Sequence, residues 1–412
     1  MGDVSDVVIV GGGIAGSALA YALASQGLGV TVLESSTEYE DRVRGESMMP
    51  WGVREARDLG VERVLLDAGA HVAPVWLQYF EGADEPAMVP MSMAIEGIPG
   101  ALNIRHPDAC QALIDAAAAA GATVVRGVRG VKLSAGQDVS ITYSSGSSDR
   151  AGKARARLVV GADGRSSTVR RQAGISLQRD DPINYIAGLL VDGLAGIPDE
   201  HDVMIGDGDL LLLMFHQGGG RARLYVAMGR SGQRRFAGPD AAAQFLAAWQ
   251  PGCYPLSELV AAGSPAGPCA TYPGDDTWTD SPFADGIVLA GDAAGHNDPI
   301  VGQGLSIAMR DARIVRDLIL DGARQAADFA PYGQERSERM QRLRLIADVV
   351  SVTYAEDADN RMARRAFLGE KMASMDAEVF PLLVGFATGP ETVPEHLVQP
   401  RILDRIRNAP GD

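Results

Sequence analysis

Three glycines near the N-terminus have the spacing of a turn that binds phosphate. Gly11, Gly13 and Gly16 fit the pattern GxGxxG, between an apolar segment at residues 6–10 and a segment rich in alanine and leucine at residues 17–25. In such a turn the first glycine permits a sharp bend, the second lets a phosphate approach the backbone, and the third lets the helix pack on the strand. The pattern therefore predicts strand, turn and helix around a dinucleotide.

Glu34 ends the next apolar segment, residues 29–33, and completes this pattern. It follows Gly16 by 18 residues, close to the distance of about 20 at which a carboxylate accepts hydrogen bonds from ribose hydroxyls. A carboxylate there repels a 2′-phosphate, so we expect a ligand other than NADP at this turn. The predicted helix begins with Ile14 and Ala15, whose amides and positive dipole end would attract the phosphates.

Two later segments carry further glycine-containing motifs after strand-like residues. Residues 158–169 read LVVGADGRSSTV and place Asp163 before a glycine and a polar turn. Residues 287–308 read IVLAGDAAGHNDPIVGQGLSIA, which predicts a strand, a Pro/Gly-rich loop and a helix from about residue 304. The candidate binding residues of this second segment are Gly291, Asp292, Pro299, Gly302, Gln303 and Gly304.

In this order and approximate spacing, the three motifs make the chain resemble the FAD-dependent class A flavoprotein monooxygenases of the p-hydroxybenzoate hydroxylase type. The resemblance covers about residues 5–325. It implies that the bound dinucleotide is FAD and that NADH or NADPH binds transiently as reductant. It also implies hydroxylation or epoxidation of a small organic substrate, aromatic or a natural product, by O₂ through a flavin C4a-hydroperoxide. The single glycine fingerprint agrees, because a dedicated NAD(P) domain needs a second one.

The chemistry of a flavin gives roles to the residues of the second segment. Asp292 would accept hydrogen bonds from ribityl hydroxyls or lie near the pyrophosphate. Pro299 would make the loop beside the isoalloxazine ring rigid, and the amides of residues 302–304 would face its N1–C2=O edge. Because reduced flavin carries negative charge at that edge, a helix N-terminus stabilises it.

The resemblance implies further FAD contacts outside these glycine positions. Asp163 would serve both FAD and the nicotinamide, and Arg105 would bind a phosphate or the ribityl region through its fork of donors. Val128 would contact adenine through its backbone, and Arg44, in the segment RVRGESMMPW, would contact the adenosine or phosphate end. A purely structural turn at Asp163 and a surface position for Arg105 are the alternatives.

The elements that must position these residues form an α/β fold. We expect an FAD-binding Rossmann-like domain with an inserted, mostly antiparallel β-sheet substrate domain and a helical C-terminal region. The predicted ranges are 1–75, 100–180 and 280–325 for the first domain, 76–99 and 181–279 for the second, and 326–412 for the helical region. Apolar runs such as YIAGLLVDG and DLLLLMFHQ are typical of strands, and their sheet would give the substrate a partly dry pocket over the flavin.

Composition limits the partners of the chain. The 412 residues are 46% hydrophobic and carry a net charge of −16, which is typical of a globular protein and disfavours nucleic-acid binding. Three cysteines without CxxC spacing and six scattered histidines predict neither a disulfide framework nor a metal site. No run approaches the roughly 18 apolar residues of a membrane span. We expect a cytoplasmic protein that binds a small molecule and O₂, and nothing in the sequence indicates an oligomeric state.

The sequence leaves the catalytic side chains open. A phenolic substrate needs a base for its deprotonation, and His216, Tyr225 and Tyr272 lie on predicted sheet or loop segments near the expected pocket. A buried structural role is the alternative for each of them. No catalytic residue is therefore assigned.

Other flavin-dependent activities share the expected fold. Halogenases of this fold carry a WxWxIP motif and an active-site lysine, but the four tryptophans here form no WxW and no lysine occurs in the first hundred residues. A double-bond reductase of the geranylgeranyl-reductase type uses the same FAD frame without oxygen insertion and is the alternative function. A non-catalytic flavoprotein is a further alternative.

Overall fold

The computed structural model describes residues 4–43, 45–134, 139–146 and 150–410. The strands of these residues are β1 (Ser5–Val10), β2 (Val30–Leu33), β3 (Ser47–Met48), β4 (His71–Ala73), β5 (Val75–Phe80), β6 (Ala87–Val89), β7 (Ala101–Asn103), β8 (Thr123–Val125), β9 (Val128–Ser134), β10 (Val139–Ser145), β11 (Arg150–Gly161), β12 (Gln178–Arg179), β13 (Asn184–Asp192), β14 (His201–Asp207), β15 (Leu210–His216), β16 (Ala222–Gly229), β17 (Ser264–Pro265), β18 (Ala270–Gly274), β19 (Thr277–Trp278), β20 (Phe283–Ala284) and β21 (Ile287–Leu289). The α-helices are α1 (Ile14–Ala24), α2 (Pro50–Asp58), α3 (Glu62–Asp67), α4 (His106–Ala119), α5 (Thr168–Gln172), α6 (Ala241–Ala247), α7 (Ser257–Ala261), α8 (Gly304–Leu320), α9 (Ala330–Tyr354), α10 (Arg361–Ala373), α11 (Phe380–Thr388) and α12 (Arg401–Arg407).

The first sheet holds the three motifs at one edge. Its order is β20-β21-β11-β1-β2-β8, in which β21, β11, β1, β2 and β8 run parallel. Alternate residues of β1 face two different cores: Val7 and Ile9 pack with α1, α4 and α8, whereas Val8 and Val10 pack with the antiparallel strands β9 and β10. A parallel strand that is buried on both faces must be apolar throughout, which explains the sequence of β1.

The second sheet is mostly antiparallel, as the sequence predicts. Its order is β17-β13-β16-β15-β14-β5-β6, with β18 also paired to β13, and only β14 and β5 run parallel to each other. The period of two along β15 divides its side chains between two cores. Leu211, Leu213 and Phe215 pack towards α9 and α11, on what we call the site face, and the alternate residues pack towards α6 on the outer face.

Helices from α8 onwards close the site face of the second sheet. The 25-residue α9 supplies buried residues such as Met340 and Leu343 to the core of the site face. The helical C-terminal region expected from the sequence is therefore confirmed, while the domain boundaries stay a prediction. Among the described residues, no helix combines the length and the apolar character needed to cross a bilayer.

Candidate active site

The three motifs follow three neighbouring strands of the first sheet. Gly11 follows β1, Asp163 follows β11 and Asp292 follows β21, and these strands are adjacent and parallel. The carboxyl ends of parallel strands meet at one edge of a sheet, which is where ligands bind in open α/β folds. An added Cβ at Gly291 would lie 3.2 Å from the Cβ of Ala15, so the GD turn contacts the start of α1 directly.

The glycines of the first turn divide into packing positions and an open position. Gly11 has a φ of +103°, and a Cβ there would overlap the carbonyl group of Ala162. A Cβ at Gly16 would overlap the Gly11 carbonyl. At Gly13, in contrast, an added Cβ would meet no described atom within 4 Å. The backbone at Gly13 therefore borders open space, as a bound phosphate requires.

The peptide group of Gly12 is fixed on both sides. Its N–H donates to the Glu34 carboxylate at 2.5 Å, and its carbonyl accepts from the Tyr39 hydroxyl at 2.5 Å and from the Ser17 hydroxyl at 2.8 Å. Glu34 is 6% exposed and also accepts from the Ser36 N–H at 2.6 Å. Its Oε1 also accepts from the Ser35 hydroxyl at 3.2 Å, so these bonds hold the carboxylate in place and leave Oε2 with capacity for a further donor such as a ribose hydroxyl.

Two residues near Glu34 were not predicted from the sequence. The Arg126 guanidinium lies 4.7 Å from the centroid of the Tyr39 ring and donates to the Thr37 carbonyl at 2.8 Å and to Gln111 at 3.0 Å. Burial, followed by the nearby Glu34 charge, raises the pKa of Tyr39 well above its usual range. The hydroxyl therefore stays protonated and remains a donor. No motif marks either residue, because they meet only once β2 and β8 are paired.

Asp163 has the structural role that the sequence left open. Its carboxylate accepts from the Ser167 hydroxyl at 2.5 Å, the Thr168 N–H at 2.6 Å and the Val169 N–H at 3.2 Å. It thereby satisfies the free amides at the start of α5. Gly164 beside it has a φ of +73°. A contact between Asp163 and FAD stays a prediction.

Asp292 was expected from the sequence to end its strand, but it lies three residues beyond the strand end. β21 ends at Leu289, and Asp292 belongs to a short 3₁₀ helix, Gly291–Ala294, so it does not itself end the strand. Its side chain is 32% exposed and lies 3.4 Å from the Arg165 Nε. The carboxylate is therefore held at the sheet edge while part of it remains open to a ligand.

A buried arginine holds the backbone around Asp292. Arg336 donates to the carbonyls of Gly291, Ala294 and Gly295 at 3.3, 3.0 and 2.8 Å. Its Nε also donates to Asp311 at 3.0 Å, and Asp311 accepts the Gly291 N–H at 2.9 Å. Burial would raise the pKa of Asp311, but Arg336 and its neighbour Arg339 outweigh burial and lower it. Sequence reasoning missed this support because α9 carries no motif.

The turn before α8 borders open space at Gly304, whereas the Gly302 N–H already donates to the Pro299 carbonyl at 2.9 Å. Pro299–Val301 form a 3₁₀ turn, and Gly302 follows with a left-handed φ of +65°, which only glycine adopts without strain. An added Cβ at Gly304 would meet no atom of the described chain within 4 Å. The side chain of Gln303 is completely buried and bonded within the protein. Gln303 could therefore contact a cofactor only through its backbone.

Three further residues were predicted to contact FAD outside the glycine motifs. Arg105 precedes α4, pairs with Asp108 at 3.2 Å, and has a buried Nε without a hydrogen-bond partner in the described chain. Val128 is buried, and its N–H already donates to the Glu34 carbonyl at 2.9 Å. Arg44 lies outside the described residues. The contacts of these three residues with FAD stay predictions.

The site face of the second sheet shares one apolar core with the turn before α8. Ile300 and Val301 of that turn pack in this core with Leu213, Phe215 and Tyr225. The Phe215 and Tyr225 rings meet edge to face, with centroids 5.9 Å apart. Because side chains alternate along β15 and β16, the apolar site face therefore packs in the same core as the turn before α8.

The three candidate bases occupy different positions. Tyr225 lies on the site face, Tyr272 packs half-buried against the same core, and His216 has the parity of the outer face. Burial raises the pKa of Tyr225 well above its usual range and lowers the pKa of His216 to about 4. At neutral pH neither residue is charged, and Tyr225 is a phenol that can only donate or accept a hydrogen bond.

A buried ion pair on the site face was also missed. The fully buried Arg223 donates to both oxygens of Glu46 and to Asp41, at 3.0, 3.0 and 2.6 Å. The pair ties β16 to the segment before β3, which is the segment that contains Arg44. Within the described residues, no three side chains of the metal-binding types are grouped to hold a metal ion.

These residues fit FAD. The backbone borders open space at Gly13 and Gly304. Glu34 and Asp292 each place a fixed carboxylate at one end of this region. Arg105 has a donor, its Nε, without a partner among the described residues. The comparisons with known proteins agree. Residues 4–237 match the model of the FAD binding domain family. The chain belongs to this family.

The chain is also similar, over more than three quarters of its length, to two enzymes of named activity. Squalene monooxygenase SE2 of Panax ginseng is 25% identical over 334 residues, which are 77% of this chain and 58% of the relative. Digeranylgeranylglycerophospholipid reductase 2 of Methanococcoides burtonii is 27% identical over 339 residues, which are 79% of this chain and 77% of the relative. The chain thus spans less than two thirds of the length of the squalene monooxygenase.

Solved structures show the same fold at low sequence identity. The flavin-dependent brominase Bmp2 has a TM-score of 0.76 at 19% identity, covering 98% of this chain and all of that one. PqsL of P. aeruginosa, in complex with 2-aminobenzoylacetate, has a TM-score of 0.72 at 23% identity, covering 85% of this chain and 97% of that one. The resemblance to class A flavoprotein monooxygenases, the α/β fold and FAD as cofactor are therefore confirmed.

Proposed function

We propose that this FAD-binding chain is a monooxygenase that uses NAD(P)H and O₂ to oxygenate a small apolar substrate at a carbon–carbon double bond or an electron-rich ring. FAD, once bound, supplies the redox chemistry and the activation of O₂, while the protein supplies position, dryness and electrostatics. The observation that carries the proposal is the shared core of the site face and the turn before α8. Leu213, Phe215, Tyr225, Ile300 and Val301 contribute apolar side chains to it.

The polar groups of the site face support an apolar substrate. Arg223 is paired with Glu46, and Asp202 accepts bonds from Asn103 and from the Trp76 indole N–H at 2.8 and 3.2 Å. Tyr225 remains a protonated phenol because burial raises its pKa. Burial raises the pKa of Asp202 to about 7, and its carboxyl, like the Arg223–Glu46 pair, is already hydrogen-bonded within the protein, so none of these described groups is free to deprotonate a phenolic substrate. Oxygenation of an alkene needs no such base.

The names of the relatives agree with this substrate class. Squalene, the substrate named for the ginseng monooxygenase, is an apolar polyene, and the Methanococcoides reductase is named for an isoprenoid lipid. We infer an apolar, alkene-containing substrate for this chain as well. The reductase similarity covers more than three quarters of both proteins, so reduction of a double bond is the second candidate function.

An isotope experiment tests the proposal. The purified holoenzyme is incubated with NADPH or NADH, ¹⁸O₂ and a panel that contains squalene, farnesol and p-hydroxybenzoate as a polar control. The proposal expects faster NAD(P)H oxidation with an apolar alkene and one ¹⁸O atom in the product. A product that gains two hydrogens, that lacks the label and that also forms without O₂ would establish the reductase instead.

Tyr225 gives a separate check on the absence of a base. Tyr225→Phe removes only the hydroxyl, and we expect kcat to change less than about threefold because the site does not depend on proton removal. A loss above about a hundredfold, together with an altered pH profile, would show that Tyr225 takes part in proton transfer and would favour a phenolic substrate.

A further inference from the structure

A buried tryptophan is hydrogen-bonded to the turn before α8. The Trp51 indole N–H donates to the Gln303 Oε1 at 2.8 Å across 252 residues of sequence. Neither side chain has any exposed surface. Trp51 belongs to the first turn of α2, whereas Gln303 immediately precedes α8. A buried hydrogen bond between two otherwise separate segments fixes their relative position.

The rest of the Gln303 side chain is committed to the protein as well. Its Nε2 donates to the Val301 carbonyl at 2.7 Å and to the Phe386 carbonyl at 3.3 Å. The carboxamide therefore links the turn itself, α11 and α2. Trp51 supplies the hydrogen bond to its oxygen, which determines which way the amide group faces.

Trp51 is itself held on two sides. The Arg310 guanidinium lies 5.1 Å from its ring centroid, and Arg310 pairs with Glu55 at 2.6 Å and Glu391 at 3.0 Å. Beside Trp51, a Cβ added to Gly52 would overlap Ser306 of α8. The start of α2 is thus packed directly on the first turn of α8, so the indole cannot move independently of it.

Gly302 makes the direction of the turn depend on this anchor. Its left-handed φ of +65° gives the chain a sharp bend, and glycine itself populates positive and negative φ about equally. The Gly302 N–H donates to the Pro299 carbonyl at 2.9 Å, and the bonded side chain of Gln303 holds the next residue, so the two interactions together select the bend. The amides of residues 302–304 are those expected to face the N1–C2=O edge of the flavin.

We infer that Trp51 is a positioning residue that, through Gln303, holds the amides of residues 303 and 304 towards the flavin and so favours its reduced, negatively charged form. This inference rests on the proposed FAD site and goes beyond it, because it assigns the control of reduction to a residue outside the glycine motifs. Amide dipoles that are fixed in advance stabilise a developing negative charge better than dipoles that must reorient.

The expected effect follows from the strength of one buried hydrogen bond. Its loss changes an equilibrium by about fivefold, since a hydrogen bond contributes about 1 kcal/mol. If that change falls on the reduced form alone, the two-electron midpoint potential decreases by about 20 mV. Oxidised FAD, which carries less charge at this edge, should bind with an affinity within about threefold of the wild type.

The experiment compares Trp51→Phe with Trp249→Phe as a matched control. Trp249 is equally buried, but it packs on the outer face and its indole N–H has no hydrogen-bond partner in the described part of the chain. For each holoprotein we would measure the FAD dissociation constant by flavin fluorescence and the midpoint potential by dye-coupled reduction. We expect the potential to fall in Trp51→Phe and to stay unchanged in Trp249→Phe.

A second variant keeps the test decisive if Trp51→Phe folds poorly. Gln303→Met removes the acceptor and leaves the indole in place, and it should lower the potential by a similar amount. The double variant should be no lower than Gln303→Met alone if Trp51 acts through Gln303. Unchanged potentials in folded variants, or equal losses in Trp249→Phe, would overturn the inference. A wild-type protein that binds no FAD would instead overturn the proposed function.

Discussion

Arg223 and Glu46 form an ion pair in which neither side chain has any exposed surface. Two bonds of 3.0 Å join the guanidinium to both carboxylate oxygens. The pair connects β16 of the second sheet to the segment before β3, near the candidate flavin site. Removal of one partner leaves a buried charge without compensation, which costs about 3–5 kcal/mol, whereas an exposed pair contributes at most about 1 kcal/mol.

Replacement of Arg223 should therefore destabilise the protein strongly. We expect Arg223→Met to lower the free energy of unfolding by about 3 kcal/mol, since Glu46 and Asp41 would lose their shared cation. Arg221, immediately before the same strand, gives a matched control, because its pair with Asp192 is about 40% exposed on both sides. Arg221→Met should change the free energy by less than about 1 kcal/mol. Urea unfolding checks both values, and equal effects would contradict the argument.

Glu34 gives a prediction about cofactor affinity. Glu34→Gln replaces one carboxylate oxygen with a donor, which conflicts with the donating amides of Gly12 and Ser36. We expect the FAD dissociation constant to rise at least about tenfold, because charged hydrogen bonds to the turn and to the ribose are lost together. Fluorescence titration measures it, with the exposed Glu38→Gln as control. If both variants bind FAD as the wild type does, Glu34 is not a ribose ligand.

Local sequence patterns were sufficient to predict the first half of this site. A glycine turn between an apolar strand and a helix is a local feature, so Gly11, Gly13 and Gly16 could be placed without knowledge of the fold. Asp163 shows the limit of this reasoning. A carboxylate after a strand can bind a ligand or cap the next helix, and only the contacts with Thr168 and Val169 show that it caps α5.

The rest of the site, on the second sheet and in the turn before α8, depends on contacts between segments that are distant in the sequence. Arg223 and Glu46 are 177 residues apart, and their meeting requires the register of the second sheet. Register also decides that Tyr225 faces the site and that His216 does not, because side chains alternate along a strand. The role of the Gln303 side chain depends on Trp51, whose position follows from the packing of α2 on α8. No local pattern contains this information.

Asp292 gives a prediction that separates cofactor binding from folding. Its carboxylate is one-third exposed beside Arg165, while the backbone around it is held by Arg336. We therefore expect Asp292→Ala to retain a cooperative thermal transition and to lose flavin or turnover by at least about tenfold. The ratio of flavin to protein absorbance and the NAD(P)H oxidation rate are the measurements.

The exposed Asp285→Ala is the control for Asp292. It lies in the same part of the chain but outside the sheet edge that carries the motifs, so its flavin content should equal that of the wild type. Wild-type flavin content and turnover in Asp292→Ala would remove this residue from the site. A lost thermal transition would instead assign it a structural role.

Asp348 of α9 gives a prediction about pH. Burial, and then the charges of Asp276 and Asp180, raise the pKa of Asp348 to about 7. An unfolded aspartate has a pKa of about 3.9. Between these values the folded protein binds more protons than the unfolded chain, so this group makes stability decrease as pH rises from about 4 to 7. Its contribution is fully present below the unfolded pKa and is lost above the folded one.

Asp348→Asn should remove that dependence. The amide is neutral at every pH, so the variant and the wild type should have similar thermal midpoints at about pH 3.5, below the unfolded pKa, and the variant should be higher by at least about 2 °C at pH 8. The exposed Asp359→Asn controls for the change in net charge and should show a constant difference across the range. Similar midpoints at acid pH together with a variant that melts below the wild type at pH 8 would mean that Asp348 is ionised in the folded protein and is stabilised there by Arg344 and Arg407, which oppose the effect of burial.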